Sequence, residues 1–463
     1  MKHVWKIFSP ALLLMIVTAC STSESSELLP QVTALGRGIN FGNMLEPPYE
    51  GAWGLTLREE FFDKAVEAGF GHIRLPIAWT HHAATTTPYT IDPVFFQRVD
   101  WAINQAKTRG LKIIINDHHH DELHADPLAE EARALAIWRQ IAHRYRNQPQ
   151  SVYFEILNEP HGVFNDNPQL WNNYLSKALA VIRQKNPTRK VIVGPVDWNG
   201  ISGLSQLTLP SDPHLIATIH FYDPFSFTHQ GAEWANPIPP VGRVWTGSTR
   251  ELKDGWQNWS WSTSTRGTAQ GIELIYQAAW AGFYLHSDIG AQGYTSLSFK
   301  TNKVMNLTIQ CRNDNVGGST QLTTQVGLNS IAMSQCNSPS RLKDLIFQNN
   351  TPNPQASFLI EALVLSGPNK TLSLIQSEKA AIRASLTRAA YWALSKKIPL
   401  YLGEFGAYGK ADMNSRVAWT ATVRSEAERL GMDWAYWELA SGFGIYDPNT
   451  GQWREALRRA LIP

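Results

Sequence analysis

The sequence predicts an α/β fold: a (β/α)8 barrel with an antiparallel β-sandwich inserted in it. Three observations predict it. Eight short apolar runs recur along the chain, amphipathic stretches separate most of them, and one long segment loses the helical period altogether. Strands are expected at 35–41, 72–75, 112–116, 151–156, 190–193, 215–220, 399–404 and 434–438. Helices are expected at 56–68, 93–109, 128–146, 169–185, 378–396 and 416–430. Phe95, Val99, Ile103 and Ala106 recur at helical spacing, and Gly69 and Gly110 mark helix ends. Only 201–207, after the fifth strand, is a poor helix former. Alternation of this kind implies a parallel sheet with crossover helices, and eight such units close a barrel.

The interruption runs from 249 to 374. Its β-branched or alternating runs, such as 294–299, 304–310 and 357–365, are separated by Gly, Asn and Pro, the texture of antiparallel strands. It is too long for a plain loop and long enough for a two-sheet sandwich, which needs about 100 residues. The barrel is therefore expected to be discontinuous, built from 30–248 and 375–463. A chain of 463 residues has room for both parts, since such a barrel takes about 250.

The first twenty residues read as an address. Lys2 and Lys6 precede an apolar stretch, 7–17, that ends in Val17-Thr18-Ala19-Cys20. A charged start, a short hydrophobic segment and small residues define a secretory signal, too short to span a bilayer. The last four residues resemble the bacterial lipoprotein box, in which the cysteine is lipidated and becomes the first mature residue. Ser21 lacks the aspartate that, by that resemblance, retains a lipoprotein at the inner membrane. Export across the inner membrane of a bacterium is expected, with Cys20 anchoring the protein at the outer membrane or cell surface. Residues 21–29, rich in Ser and Glu, read as a tether. Cys311 and Cys336 remain, as one disulfide or two free thiols. A net charge of +2 gives no electrostatic reason to expect nucleic acid, and a monomer is expected.

Two stretches carry the chemistry. Leu157-Asn158-Glu159-Pro160 follows the fourth apolar run, and Glu404 ends the seventh in Leu402-Gly403-Glu404-Phe405-Gly406. Two glutamates that each end a parallel strand meet at the rim where barrels place their active sites. One proton donor and a second carboxylate are what cleavage of a glycosidic bond needs. Glu159 is the candidate acid/base, its pKa to be raised by burial and the second carboxylate. Glu404 is the candidate nucleophile, with Arg74 beside it and Tyr222 donating a hydrogen bond. Asn158 would bond the sugar 2-OH, His220 would partner Glu159, and His118, His119 and Trp437 would hold the sugar. Consecutive side chains diverge in a strand-to-loop segment, so His118-His119-His120 is not expected to hold a metal. Two carboxylates suffice, and neither metal nor organic cofactor is expected.

On these residues both barrel portions resemble glycoside hydrolase family 5, the retaining cellulase-type family. Arg74, His118, Asn158, Glu159, His220, Tyr222, Glu404 and Trp437 occur in the family's order on the expected strands. The resemblance implies internal hydrolysis of β-1,4-glucan with retention. The same mechanism on mannan, xyloglucan or mixed-linkage glucan is the alternative, and a non-catalytic surface glycan-binding lipoprotein is the rival of another class. Trp equals Phe at 18 each, and flat indole faces suit sugar rings. Trp53, Trp79, Trp198, Trp234 and Trp245 follow successive strands as candidate sugar platforms or as core. In the insert, Trp256-Gln257-Asn258-Trp259-Ser260-Trp261 and Ala279-Trp280-Ala281-Gly282 resemble a β-sandwich module that accompanies secreted carbohydrate-active enzymes. Trp259 and Trp261 share one face of a strand, either to stack on glucan or to pack the core.

Overall fold

The computed structural model describes residues 35–463 apart from 356. The expected export signal, Cys20 and the expected tether lie outside the described residues. Eight parallel strands close into a barrel in chain order, the first pairing with the eighth. They are Arg37–Asn40, His72–Leu75, Lys112–Asn116, Val152–Glu155, Val191–Val193, Leu215–Phe221, Leu400–Phe405 and Asp433–Tyr436. Each lies within two residues of its expected place at both ends. No described helix is long and apolar enough to cross a membrane.

The helices form where the period demands and stop where capping dictates. Pro93–Thr108 buries Phe95, Phe96, Val99, Ala102, Ile103 and Ala106 along one face, and the Asp92 side chain accepts from the Val94 N–H at its start. Pro127–Arg144 is capped in the same way by Asp126. Met413–Arg429 begins three residues before the expected 416, because Asp412 caps it by accepting from Ser415 N–H. The weak segment is a 3-10 helix, Ile201–Gln206.

Strand alternation decides what enters the barrel. Ile73, Ile113, Phe154, Ile219 and Leu402 join the core under the helices, whereas Ile114, Tyr153, Ile192, Ile216, Tyr401 and Ala435 form a layer of their own. Two residues beyond that inner layer, the same alternation turns Asn116, Glu155 and Thr218 inward, with Arg74 level with them on the second strand. The seventh strand needs one correction to that rhythm. Leu402 pairs with Ile219 and Glu404 with His220, so Gly403 is an extra residue, a bulge that re-aims Glu404. A side chain at 403 would meet Thr218 Oγ1 at 2.7 Å and His220 Nε2 at 3.0 Å. Only glycine fits there.

Between the sixth and seventh barrel strands the chain leaves and returns through a two-stranded antiparallel ribbon, Arg250–Leu252 with Ile375–Ser377. Beyond it two antiparallel sheets face each other around a separate apolar core that includes Leu274, Phe283, Phe299, Leu345, Phe347 and Phe358. Cys311 and Cys336 are disulfide-bonded within that core. Leu252 and Ile375 stand opposite each other, so a two-residue Asn-Gly turn matches the ribbon's twist. Replacing 253–374 by Asn-Gly is expected to leave a cooperatively folded barrel. Its melting temperature should fall by no more than about 5 °C, as calorimetry would measure. A molten or insoluble product would show that the barrel depends on the insert.

Candidate active site

Arg74 organises the carboxyl end of the barrel. It is fully buried, and its five N–H groups all have acceptors. Nε and Nη2 clamp Glu155 at 2.7 and 2.6 Å. Nη1 donates to Glu404 Oε1 at 2.6 Å and to Asn40 Oδ1 at 2.9 Å. Nη2 also donates to Asn158 Oδ1 at 2.7 Å. The fit is planar and bidentate, which lysine could not reproduce. Asn40 in turn donates to the carbonyls of Gly403 and Tyr436, at 3.0 and 3.2 Å, and ties the first strand to the seventh and eighth.

Asn158 and Glu159 do not end the strand, which stops at Glu155; they lie just beyond it. Glu159 takes a left-handed backbone, φ 47°, a strained conformation of the kind that collects at functional sites. Its Oε1 shares a 2.7 Å hydrogen bond with His220 Nδ1, which lies 3.5 Å from Glu404 Oε2. Tyr222 donates to Glu404 Oε2 at 2.9 Å. One ligand atom each from Glu159, His220 and Glu404 lie within 4.8 Å of one another.

The two carboxyls live in different fields. Burial pushes Glu159 up to about 7, against the pull of Arg74 and His161, although 24% of its side chain stays accessible. Burial raises Glu404 as well, opposed by His220, Arg74 and the Tyr222 hydrogen bond. Burial also pulls His220 down to about 4, so its imidazole is neutral beside Glu159 at neutral pH.

Aromatic rings border these groups. Trp437, one residue past its strand, stacks with His118 at 5.9 Å and 10°. Trp53, 46% exposed, meets His119 edge-on at 5.5 Å. Trp198, 49% exposed, stacks on His161, which stacks on His124. Asp197, Trp198 and Asn199 all have positive φ. Trp79 is not a platform: it is fully buried against Phe95 and Phe96, and its Nε1 donates to the Asn116 carbonyl. Trp245 is likewise buried, while Trp234 is exposed beside Tyr408. His118 and His119 do not diverge as the sequence predicts for consecutive side chains: their rings meet edge-on at 4.6 Å, and only His120 turns away, to Asp117 and Glu130 at 2.7 and 3.1 Å.

The sequence reading misses four groups. Glu155 has a legible signal, a carboxylate inside an otherwise apolar strand, which must find a cation. Asn40 looks like any strand-end residue. Glu46 and Glu438 are both buried and near enough to repel each other, and nothing in their local pattern marks them. Glu46 accepts from the N–H groups of Asn43 and Met44, and Glu438 Oε2 has no partner. Gly42 makes room for Glu438 and Trp437: a side chain there would come within 2.6 Å of Glu438 Oε2 and 2.8 Å of the Trp437 ring.

Burial, with Glu46 adding repulsion, pushes Glu438 up to about 8, and burial pushes Glu46 to about 7. A carboxyl whose folded pKa is raised contributes stability that is complete below its unfolded value near 4.5 and is lost as pH climbs through 7–8. The melting temperature should therefore fall between about pH 5 and about pH 9. Glu438→Gln cannot ionise and should flatten that fall, as thermal melts at several pH values would show. An unchanged slope would mean that Glu438 does not carry it.

With this geometry in view, comparison with known proteins is direct. The model of the family "Cellulase (glycosyl hydrolase family 5)" matches residues 34–271. Endoglucanase H of Acetivibrio thermocellus is 40% identical over 210 residues, 45% of this chain and 23% of that protein. Endoglucanase A of Ruminococcus albus is 30% identical over 226 residues, 42% of this chain and 61% of that one. The match thus spans less than two thirds of either relative. Structures of Thermotoga maritima Cel5A, one in complex with cellobiose and one with mannotriose, are each 33% identical with a TM-score of 0.63 and cover 92% of this chain and 97% of theirs. By the family model and by likeness over nearly the whole of these solved chains, the chain belongs to the cellulase family, glycosyl hydrolase family 5.

Proposed function

We propose that the protein hydrolyses β-1,4-linked glucan internally, with retention of configuration, by double displacement. The carrying observation is the approach of the Glu159 and Glu404 oxygens to within 4.8 Å. Retaining glycosidases hold their carboxyls about 5–5.5 Å apart, and inverting ones about 6.5–9.5 Å to admit a water.

Glu159, protonated up to about pH 7, gives its proton to the glycosidic oxygen while the Glu404 carboxylate attacks the anomeric carbon. The C–O bond to the departing sugar breaks and a glycosyl ester forms on Glu404. Glu159, now ionised, takes a proton from a water that attacks the same carbon. The ester opens, and Glu404 and the acid are restored. Arg74 and Tyr222 favour the ionised nucleophile. Asn158 spends its carbonyl on Arg74 and an amide N–H on Glu159, which leaves its other N–H for the sugar 2-OH, a contact that tightens in the transition state. Trp437 stacked with His118 offers a face for the sugar ring, His119 and Trp53 continue from His118, and Trp198 is a separate exposed indole on His161. A second reading, mannan, is supported by the likeness to Thermotoga maritima Cel5A, a single protein solved in complex with cellobiose and with mannotriose. Parallel assays on soluble glucan and mannan separate the two.

Activity should fall as pH rises through about 7, where Glu159 loses its proton, and again in acid as Glu404 gains one. Glu404→Gln should lower turnover by about 10⁴-fold or more. Glu159→Ala should spare the first step only for activated aryl glycosides, which need little protonation. Equal losses on good and poor leaving groups would remove Glu159 from the acid role. Proton NMR early in turnover should show the β-anomer first; an α-anomer would replace double displacement by inversion.

The amino-terminal residues support export with lipidation at Cys20. Wild-type protein should take up labelled fatty acid and Cys20→Ala should not, whereas an unlabelled wild type would mean plain secretion.

A further inference from the structure

We propose a second glycan-binding site on the five-stranded sheet of the insert, remote in sequence from the catalytic residues, that grips a neutral β-linked glucan chain. The edge of that sheet is Gln257–Asn258, beside Gly282–Gln292 and then Arg341–Asn349 and Asn306–Asn313. Phe283, Leu285, Leu345, Ile309 and Cys311 point into the insert's core. Their neighbours therefore face outward. Two rows run across the strands in register: Tyr284, Ile346 and Gln310, then His286, Asp344 and Arg312.

Trp259 and Trp261 continue the edge strand on this outer face, bonded to the backbone of Tyr284 and Gly282. They are not core. Trp259 is 49% exposed and Trp261 39%. Each indole is braced, and Tyr284 meets both edge-on, at 5.7 and 6.3 Å. Trp259 stacks on His286 at 3.8 Å and 14°. Trp261 lies over Gly282, where a Cβ would come within 2.3 Å of its ring. Bracing of this kind holds an aromatic surface ready at low entropic cost. By strand rise the two rings sit about 7 Å apart along the edge.

The floor beside them is a groove of about 640 Å³ lined by both indoles, Tyr284, His286, Gln310 and Asp344. Asp344 Oδ1 accepts from Tyr284 and from His286, at 2.8 and 2.6 Å, and fixes both rings. Gln310 is only 8% exposed, donates to Gln348, and keeps its own side-chain oxygen without a partner. A buried amide oxygen left unpaired in a groove invites a hydroxyl donor. Charges of both signs, Asp344 and Arg312, line the same groove, which suits a neutral polyhydroxyl chain better than an anionic one. Apolar sugar faces would lie on the indoles, and equatorial hydroxyls would reach Arg312 and, on a small side-chain movement, the covered oxygen of Gln310. The choice of glucan rests on the catalytic reading; the preference for a neutral polyol chain does not.

The test is affinity electrophoresis of the full chain through gels containing hydroxyethylcellulose, in the Glu404→Gln background. The double variant Trp259→Ala, Trp261→Ala should bind about tenfold more weakly, with its melting temperature unchanged. Trp259→Phe, which keeps a ring, should retain most of the binding. In the background that retains Glu404, turnover of an aryl cellobioside should be the same with and without the double substitution. Unchanged retardation of the double variant would overturn the proposal, and so would loss of binding that merely follows a large fall in melting temperature. Failure of the parent to cleave the aryl cellobioside or any soluble glucan would refute the catalytic reading, while the gel would still decide this one.

Discussion

One buried guanidinium holds the mouth of the barrel together. Arg74 has no surface exposed to water and meets two carboxylates and two amides with all of its donors. Such a charge is tolerated only when it is fully paired. Taking one partner from a buried ion pair costs about 3–5 kcal/mol, because the other is left stranded. Arg74 is therefore both a structural and a chemical constraint: it bridges the first, second, fourth and seventh strands and sets the field in which the two glutamates ionise.

That field is asymmetric, and the asymmetry separates the two roles. Glu404 receives a direct contact from the cation and a phenolic hydrogen bond. Glu159, on a strained turn beyond its strand, has a neutral imidazole for its nearest partner. Glu155 completes the balance by occupying the Nε and Nη2 edge of Arg74, and Asn40 takes one Nη1–H, which leaves a single Nη1–H for Glu404. Two carboxyls of one chemical type thus sit side by side with different partners, as the proposed double displacement requires.

The barrel is legible in the sequence because its strands are apolar on both faces and its helices carry a clear period. Pro93–Thr108 and Glu378–Lys396 can be placed almost to the residue. Glu159 and Glu404 are legible because each closes or closely follows an apolar run that reads as a barrel strand. What is not legible depends on contacts between distant segments. Trp79 and Trp198 look alike as tryptophans that follow strands. One is swallowed by Phe95 and Phe96 and the other stands 49% exposed on His161. The bulge at Gly403 is equally invisible locally, since it exists only in the pairing with Ile219 and His220. The outward turn of Trp259 and Trp261 follows from period two, but their exposure depends on His286 and Gly282, more than twenty residues away.

The central claim is that Arg74 and Tyr222 hold Glu404 as the nucleophile while Glu159 serves as the acid. Trapping decides it most directly. A 2-deoxy-2-fluoro cellobioside with an activated leaving group forms the glycosyl ester quickly and hydrolyses it slowly. Peptide mass mapping of the inactivated protein should find the sugar on Glu404 alone. A label on Glu159, or complete inactivation with no covalent sugar, would contradict the account.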